Sequence, residues 1–131
     1  MKFENNWQFK TLENLDKEVW PKVDFNSHLV TRTSKLRKVP LNEFSIEDLR
    51  IMIGQNFGLP YLIPLAIDRL KENILAEGDF YPGDLLVAVA SIESEFWEEH
   101  STYKKEIDTI ISDNFSIIAD SRLKLGKYFR R

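Results

Sequence analysis

The apolar residues of this chain recur every three or four positions, and this spacing constrains the fold more than any other feature. The clearest run is Ile63, Ile67, Leu70 and Ile74, which fall on one side of an α-helix. Proline and glycine, five of each, separate the runs. The best strand candidate, residues 115–119, is short. We therefore predict an all-α fold, a compact bundle of about five to six short helices.

Capping residues and breakers place these helices along the chain. We expect helices over residues 11–20, 27–38, 46–54, 84–98 and 101–124, the last with a break near residues 113–114. A further helix is expected to start between Pro60 and Pro64. The turn-rich segment 77–83 precedes Asp84, which we expect to cap the next helix. Phe80 and Tyr81 are expected to anchor that segment on the core.

The size and composition of the chain indicate one domain without covalent cross-links. A chain of 131 residues is close to the commonest domain size, so we predict a single domain over residues 1–131. The absence of cysteine excludes disulfides, thiolate metal sites and a thiol nucleophile. The first six residues lack the apolar segment of a secretory signal, and the apolar runs are too short to span a bilayer. We therefore expect a cytoplasmic protein with no membrane partner.

Charge is segregated along the chain, and the acidic part points to a basic partner. Residues 72–103 contain eight Asp or Glu and no Lys or Arg. On a helix over 84–98, the acidic residues Asp84, Glu95 and Glu98 would project from one side, opposite or flanking the apolar stripe. Such a face is most often just solvated, but it also suits docking on a basic protein surface. We predict that these three residues contact a protein partner.

We find no motif that predicts catalysis or a cofactor. His28 and His100 have no second histidine at ligand spacing, and no phosphate-binding glycine loop or nucleophile motif occurs. The carboxylates of Glu77, Asp79 and Asp84 offer the best alternative, a divalent metal site of a metal-dependent hydrolase. Their spacing fits a turn followed by a helix cap better. We predict a protein that is not an enzyme, with no catalytic residue, metal or cofactor.

The C-terminal tail, residues 121–131, favours a different partner. It carries five basic residues and no acid, and two aromatic residues, Tyr128 and Phe129, lie among them. This pattern is compatible with phosphate contacts and base stacking, so a small nucleic-acid-binding regulator is the alternative function. The acidic remainder of the chain would repel a nucleic acid, which makes this partner the less favoured one.

Three blocks in the middle of the chain resemble a known family. They read PLNEFSIEDLR at 40–50, IGQNFGLPYLIPLA at 53–66 and EGDFYPGDLL at 77–86. Together they are similar to the immunity proteins of bacterial contact-dependent growth inhibition (CDI) systems, with a family-like core over about residues 29–100. The resemblance does not supply the contact residues.

The resemblance implies a function that agrees with the acidic face. Such proteins bind the toxic C-terminal domain delivered by a neighbouring cell's surface protein and block it in the cytoplasm. These toxins are often nucleases, which are basic where they grip phosphates. We therefore predict a cytoplasmic immunity protein that neutralises a cognate toxin domain by non-catalytic, charge-complementary binding. Changing Asp84, Glu95 and Glu98 together to Lys should weaken the complex.

Overall fold

The structure is a computed structural model that describes residue 3 and residues 5–19 and 28–125. These residues contain eight α-helices and two short 3-10 turns, and no strand is formed among them. The 3-10 turns are Trp7–Phe9 and Leu41–Glu43. The helices are α1 (Leu12–Asp16), α2 (His28–Leu36), α3 (Ile46–Gly54), α4 (Leu59–Glu72), α5 (Asp84–Ala90), α6 (Ser94–Glu99), α7 (Ser101–Asp113) and α8 (Phe115–Ser121). The all-α prediction is confirmed.

The contacts divide the chain into two compact units, one on each side of the bond between Ser45 and Ile46. The first unit contains α1 and α2. Thr11 begins α1 with a capping box, in which its hydroxyl accepts from the Asn14 N–H and the Asn14 side chain accepts from the Thr11 N–H. The buried guanidinium of Arg37 donates to Asp16 at 2.7 Å and to the Glu18 carbonyl oxygen at 2.6 Å. The single-domain organisation over residues 1–131 stays a prediction.

The second unit is built around α4. This helix packs against α3, α5 and α7, and α3 also packs closely against α5. The predicted stripe Ile63, Ile67, Leu70 and Ile74 is fully buried. Apolar burial of this kind contributes roughly 25 cal/mol per Å². The unit therefore owes its stability chiefly to the faces that α3, α4, α5 and α7 bury in common.

The described residues form eight helices, more than the five to six predicted, because the helical regions predicted over 84–98 and 101–124 are each divided in two. The helix expected over 84–98 ends at Ala90 and resumes at Ser94. The Ser91 hydroxyl donates to the Val87 carbonyl oxygen at 2.8 Å, and Glu93 is extended, so the chain turns between the two helices. The last helical region breaks at Asn114, as expected. The strand candidate at residues 115–119 lies in α8.

The predicted start of α4 between the two prolines is also wrong. The helix begins at Leu59, with Pro60 in its first turn, and Pro64 lies inside it. A proline inside a helix cannot donate to the carbonyl four residues earlier, here that of Pro60. The Tyr103 hydroxyl of α7 donates to that Pro60 oxygen at 3.1 Å. A side chain from another helix therefore supplies a donor where the helix itself has none.

Candidate partner-binding surface

The backbone of the segment 77–83 is held by hydrogen bonds to a buried carboxylate. Asp84, the first residue of α5, is only 3% exposed. Its Oδ1 accepts from the Gly78 N–H at 2.7 Å, and its Oδ2 accepts from the Phe80 N–H at 3.1 Å. The carboxylate therefore satisfies donors of the preceding segment, and the N-cap position of α5 is occupied by Gly83. We refer to residues 77–83 as the anchored loop.

A second buried carboxylate, from α3, holds the same loop. Oε1 of Glu47 accepts from the Asp79 N–H at 2.8 Å and from Nε of Arg50 at 2.7 Å, and its Oε2 accepts from Nη2 of Arg50 at 2.5 Å. Arg50 Nε lies 3.8 Å from Oδ2 of Asp84. One guanidinium thus pairs with two buried carboxylates. Removing the guanidinium leaves both carboxylates buried without their cation, and breaking a buried ion pair in this way typically costs about 3–5 kcal/mol.

The electrostatics of this group follow from its geometry. The hydrogen bond from Arg50 to Glu47 is the largest cause that raises the pKa of Arg50 above its usual value, and the charges of Glu47, Asp84 and Asp79 add to it. Burial acts in the opposite direction. Arg50 therefore carries a positive charge beside the two carboxylates.

Gly78 is the residue that lets the loop approach α3 so closely. A Cβ at this position would collide with Oε1 of Glu47 and would lie 3.3 Å from the Glu47 Cα. Gly83, at the other end of the loop, has a φ of 90°, a conformation that L side chains rarely adopt. A Cβ at Gly83 would also collide with the Leu123 side chain, so space restricts both glycines and backbone conformation restricts Gly83 in addition.

The outer face of the anchored loop presents two aromatic side chains. Phe80 is 68% exposed and Tyr81 is 43% exposed, so the expectation that they anchor the loop on the core is wrong. The physical reason is that the buried carboxylates already hold the backbone. The Phe80 ring lies over the guanidinium of Arg50, with 4.5 Å between the Arg50 Cζ and the ring centroid. This cation–π contact fixes the ring while leaving much of it open to solvent.

The structure separates the three acidic residues that the sequence grouped together. Glu95 and Glu98 lie on α6 and are exposed, but Asp84 is buried at the start of α5. The surface position expected for Asp84 is therefore wrong, because backbone N–H groups of the anchored loop donate hydrogen bonds to its carboxylate. Glu93 and Glu99 are also exposed at the two ends of α6. A role of Glu95 and Glu98 in partner binding stays a prediction.

The two histidines lie on different elements of the structure. His28 is exposed at the start of α2. His100 lies between α6 and α7, where its Nδ1 is 2.9 Å from the Phe96 carbonyl oxygen. Its ring stacks on Phe96 at 4.2 Å and on Tyr103 at 5.6 Å between centroids. Within the described ranges, no three His, Asp or Glu residues lie close enough together to hold a metal ion.

The basic tail is described only in part. Arg122 ends α8 in a left-handed conformation, and Arg122 and Lys124 are exposed. The remaining basic residues of the tail and its two aromatic residues lie outside the described residues. The nucleic-acid-binding alternative stays a prediction. None of the described helices is long and apolar enough to cross a membrane.

Sequence reasoning missed the group formed by Glu47 and Arg50. The only local signal was their spacing of three residues on a helix, which is common on solvated faces. Nothing in the sequence shows that this pair faces a loop 32 residues further along the chain.

The all-α unit presents two exposed aromatic side chains on a loop that hydrogen bonds hold in place, and an acidic helix follows later in the sequence. These features are suited to binding another protein.

Comparison with known proteins gives the family. A family model described as CDI immunity proteins matches residues 14–107, which is most of the chain. The chain belongs to this family. The match extends on both sides of the blocks that carried the resemblance, and it includes the end of α1, the anchored loop, α6 and the start of α7. Searches of curated proteins and of solved structures found no match.

Proposed function

We propose that this protein acts in the cytoplasm, where it neutralises one cognate CDI toxin domain by binding to it without catalysis. The observation that carries the proposal is the family match over residues 14–107. Immunity proteins of this kind imply a toxin as the partner. The partner domain proposed here is the C-terminal domain of the delivered surface protein.

The charge pattern supports a basic toxin surface, such as that of a nuclease. The cation-free stretch of residues 72–103 includes the anchored loop, α5 and α6. Glu95 and Glu98 on α6 are exposed. Opposite charge on two proteins speeds their encounter and fixes their orientation more than it adds affinity. We therefore assign the acidic face of α6 to the recognition of a basic toxin.

Co-expression tests this function directly. The C-terminal domain encoded by the gene that precedes this one is produced in a sensitive host, alone and together with this protein. We expect the domain to arrest growth alone, and this protein to restore growth and to co-purify with it. A toxin domain from an unrelated CDI system is the control, and it should still arrest growth. If the cognate domain kills whether or not this protein is present, and no complex forms, the proposal is wrong for that pair.

A further inference from the structure

We propose that the aromatic pair on the anchored loop, Phe80 and Tyr81, is the anchor by which this protein holds its toxin. The inference rests on the proposed function and names the contact surface. The occupant that we assign is an apolar pocket on a basic toxin surface, with Lys or Arg at its rim.

The pair leaves two large aromatic side chains open to solvent on one loop. Large aromatic residues left open to water lose the apolar burial that favours them inside a protein. Protein interfaces, by contrast, are enriched in tyrosine and phenylalanine, and a few such residues supply most of the binding free energy. Phe80 and Tyr81 are adjacent on one loop and are both exposed. They form a compact apolar projection suited to a pocket on a partner.

The mounting of the pair lowers the entropic cost of binding. The Gly78, Asp79 and Phe80 N–H groups donate to carboxylates of Asp84 and Glu47, at 2.7–3.1 Å. The ring of Phe80 is further held over Arg50. A loop that is ordered before binding does not have to be immobilised on binding, and such preorganisation strengthens a complex. Arg50 is thus a positioning residue for the anchor.

The charge beside the pair selects the kind of partner. The side chains of Glu77 and Asp79 are exposed on the same loop, and the nearest cation in the sequence after Lys71 is Lys104. The Arg50 charge is already matched by the carboxylates of Glu47 and Asp84. An apolar projection with acidic neighbours complements an apolar pocket with basic neighbours. The charge steers the encounter, and the rings hold the complex.

The test compares two exposed phenylalanines in the same unit. Binding of purified variants to the catalytically inactivated C-terminal domain of the upstream gene is measured by surface plasmon resonance. Phe80→Ala should raise Kd by at least about 30-fold, mostly through faster dissociation. Phe115 on α8 is 63% exposed and serves as the control, because Phe115→Ala removes the same group from a different element. Its Kd should stay within about threefold of the wild type.

A second variant tests the mounting. Arg50→Lys keeps the charge but loses the planar fork that pairs with Glu47 and lies under Phe80. At a temperature at which circular dichroism shows the variant fully folded, its dissociation should be faster, with the association rate nearly unchanged. A variant that is less stable but binds like the wild type would overturn the positioning role.

The outcomes separate the inference from the function beneath it. If the wild type binds tightly and Phe80→Ala weakens binding no more than Phe115→Ala, the anchor is wrong while the proposed function stands. If the wild type does not bind the domain, the proposed function fails, and the inference falls with it.

Discussion

At the scale of single residues, Tyr103 compensates for a proline within a helix. Pro64 has no N–H to give to the Pro60 carbonyl, and the Tyr103 hydroxyl donates to that oxygen instead. A buried carbonyl left without a donor typically costs about 1–3 kcal/mol. This contact joins the first turn of α4 to α7 at a point where the helix ladder is interrupted.

A double-mutant cycle tests this compensation. Tyr103→Phe removes only the hydroxyl, and we expect it to lower the free energy of unfolding by about 1 kcal/mol. In the background of Pro64→Ala, whose new N–H can donate to the same oxygen, the hydroxyl should matter less. Urea unfolding of the four proteins gives both values. An equal loss in the two backgrounds would show that Tyr103 does not substitute for the missing donor.

Because the same hydroxyl can ionise, we expect the protein to lose stability at alkaline pH. Burial, and then the charge of Glu106, raise the pKa of Tyr103 above its ordinary value of 10.0. The folded state therefore favours the protonated form. Its stabilising contribution is complete below pH 10 and is lost as the pH rises through the raised pKa. From pH 9 upward, the free energy of unfolding should fall more steeply with pH for the wild type than for Tyr103→Phe. Parallel curves for the two proteins would contradict this.

At the scale of elements, the anchored loop is part of the packing between α3 and α5. Its backbone donors are satisfied by carboxylates at the ends of those two helices, and Gly78 lies against Glu47. A substitution that disturbs the loop should therefore lower the free energy of unfolding of the whole unit. A substitution in an ordinary surface loop would lower it much less.

Two glycine substitutions test how closely the loop is packed. Gly78→Ala places a methyl group against Glu47, and we expect the free energy of unfolding to fall by about 1–3 kcal/mol. Gly54→Ala, at the end of α3, meets no atom within 4 Å and should be neutral or stabilising by up to about 1 kcal/mol. Thermal or urea unfolding compares the two. If both variants unfold like the wild type, the close approach of the loop to α3 is wrong.

The elements differ in how far the sequence predicts them. Local signals gave the limits of α3, the cap of α1 and the break at Asn114, because each depends on neighbouring residues. The break after Ala90 and the helical position of Pro64 were not predicted, since both depend on contacts along and between helices. The burial of Asp84 was also missed. A carboxylate at a helix start looks like a cap, and only the tertiary structure shows that it holds a loop.

At the scale of the whole molecule, the distribution of charge governs the encounter with the toxin. Changing Glu95 and Glu98 together to Lys raises the net charge of α6 by four, and we expect association at low salt to slow by about tenfold or more. Changing Asp113 on α7 and Asp120 on α8 to Lys gives the same change of net charge at another place. Both residues are exposed, and this pair of changes should slow association less. Stopped-flow association rates at several salt concentrations decide between them. Equal slowing by both pairs would mean that only the net charge matters.

The central claim is that neutralisation occurs by binding, and a titration tests it most directly. Purified protein is added in steps to a fixed amount of the active cognate toxin domain, at a concentration far above Kd, and the remaining toxin activity is measured. Binding predicts a linear loss of activity that reaches its end at a fixed molar ratio, independent of incubation time. Loss of activity at a small fraction of that ratio, growing with time, would show that the protein inactivates its toxin catalytically and would contradict the account.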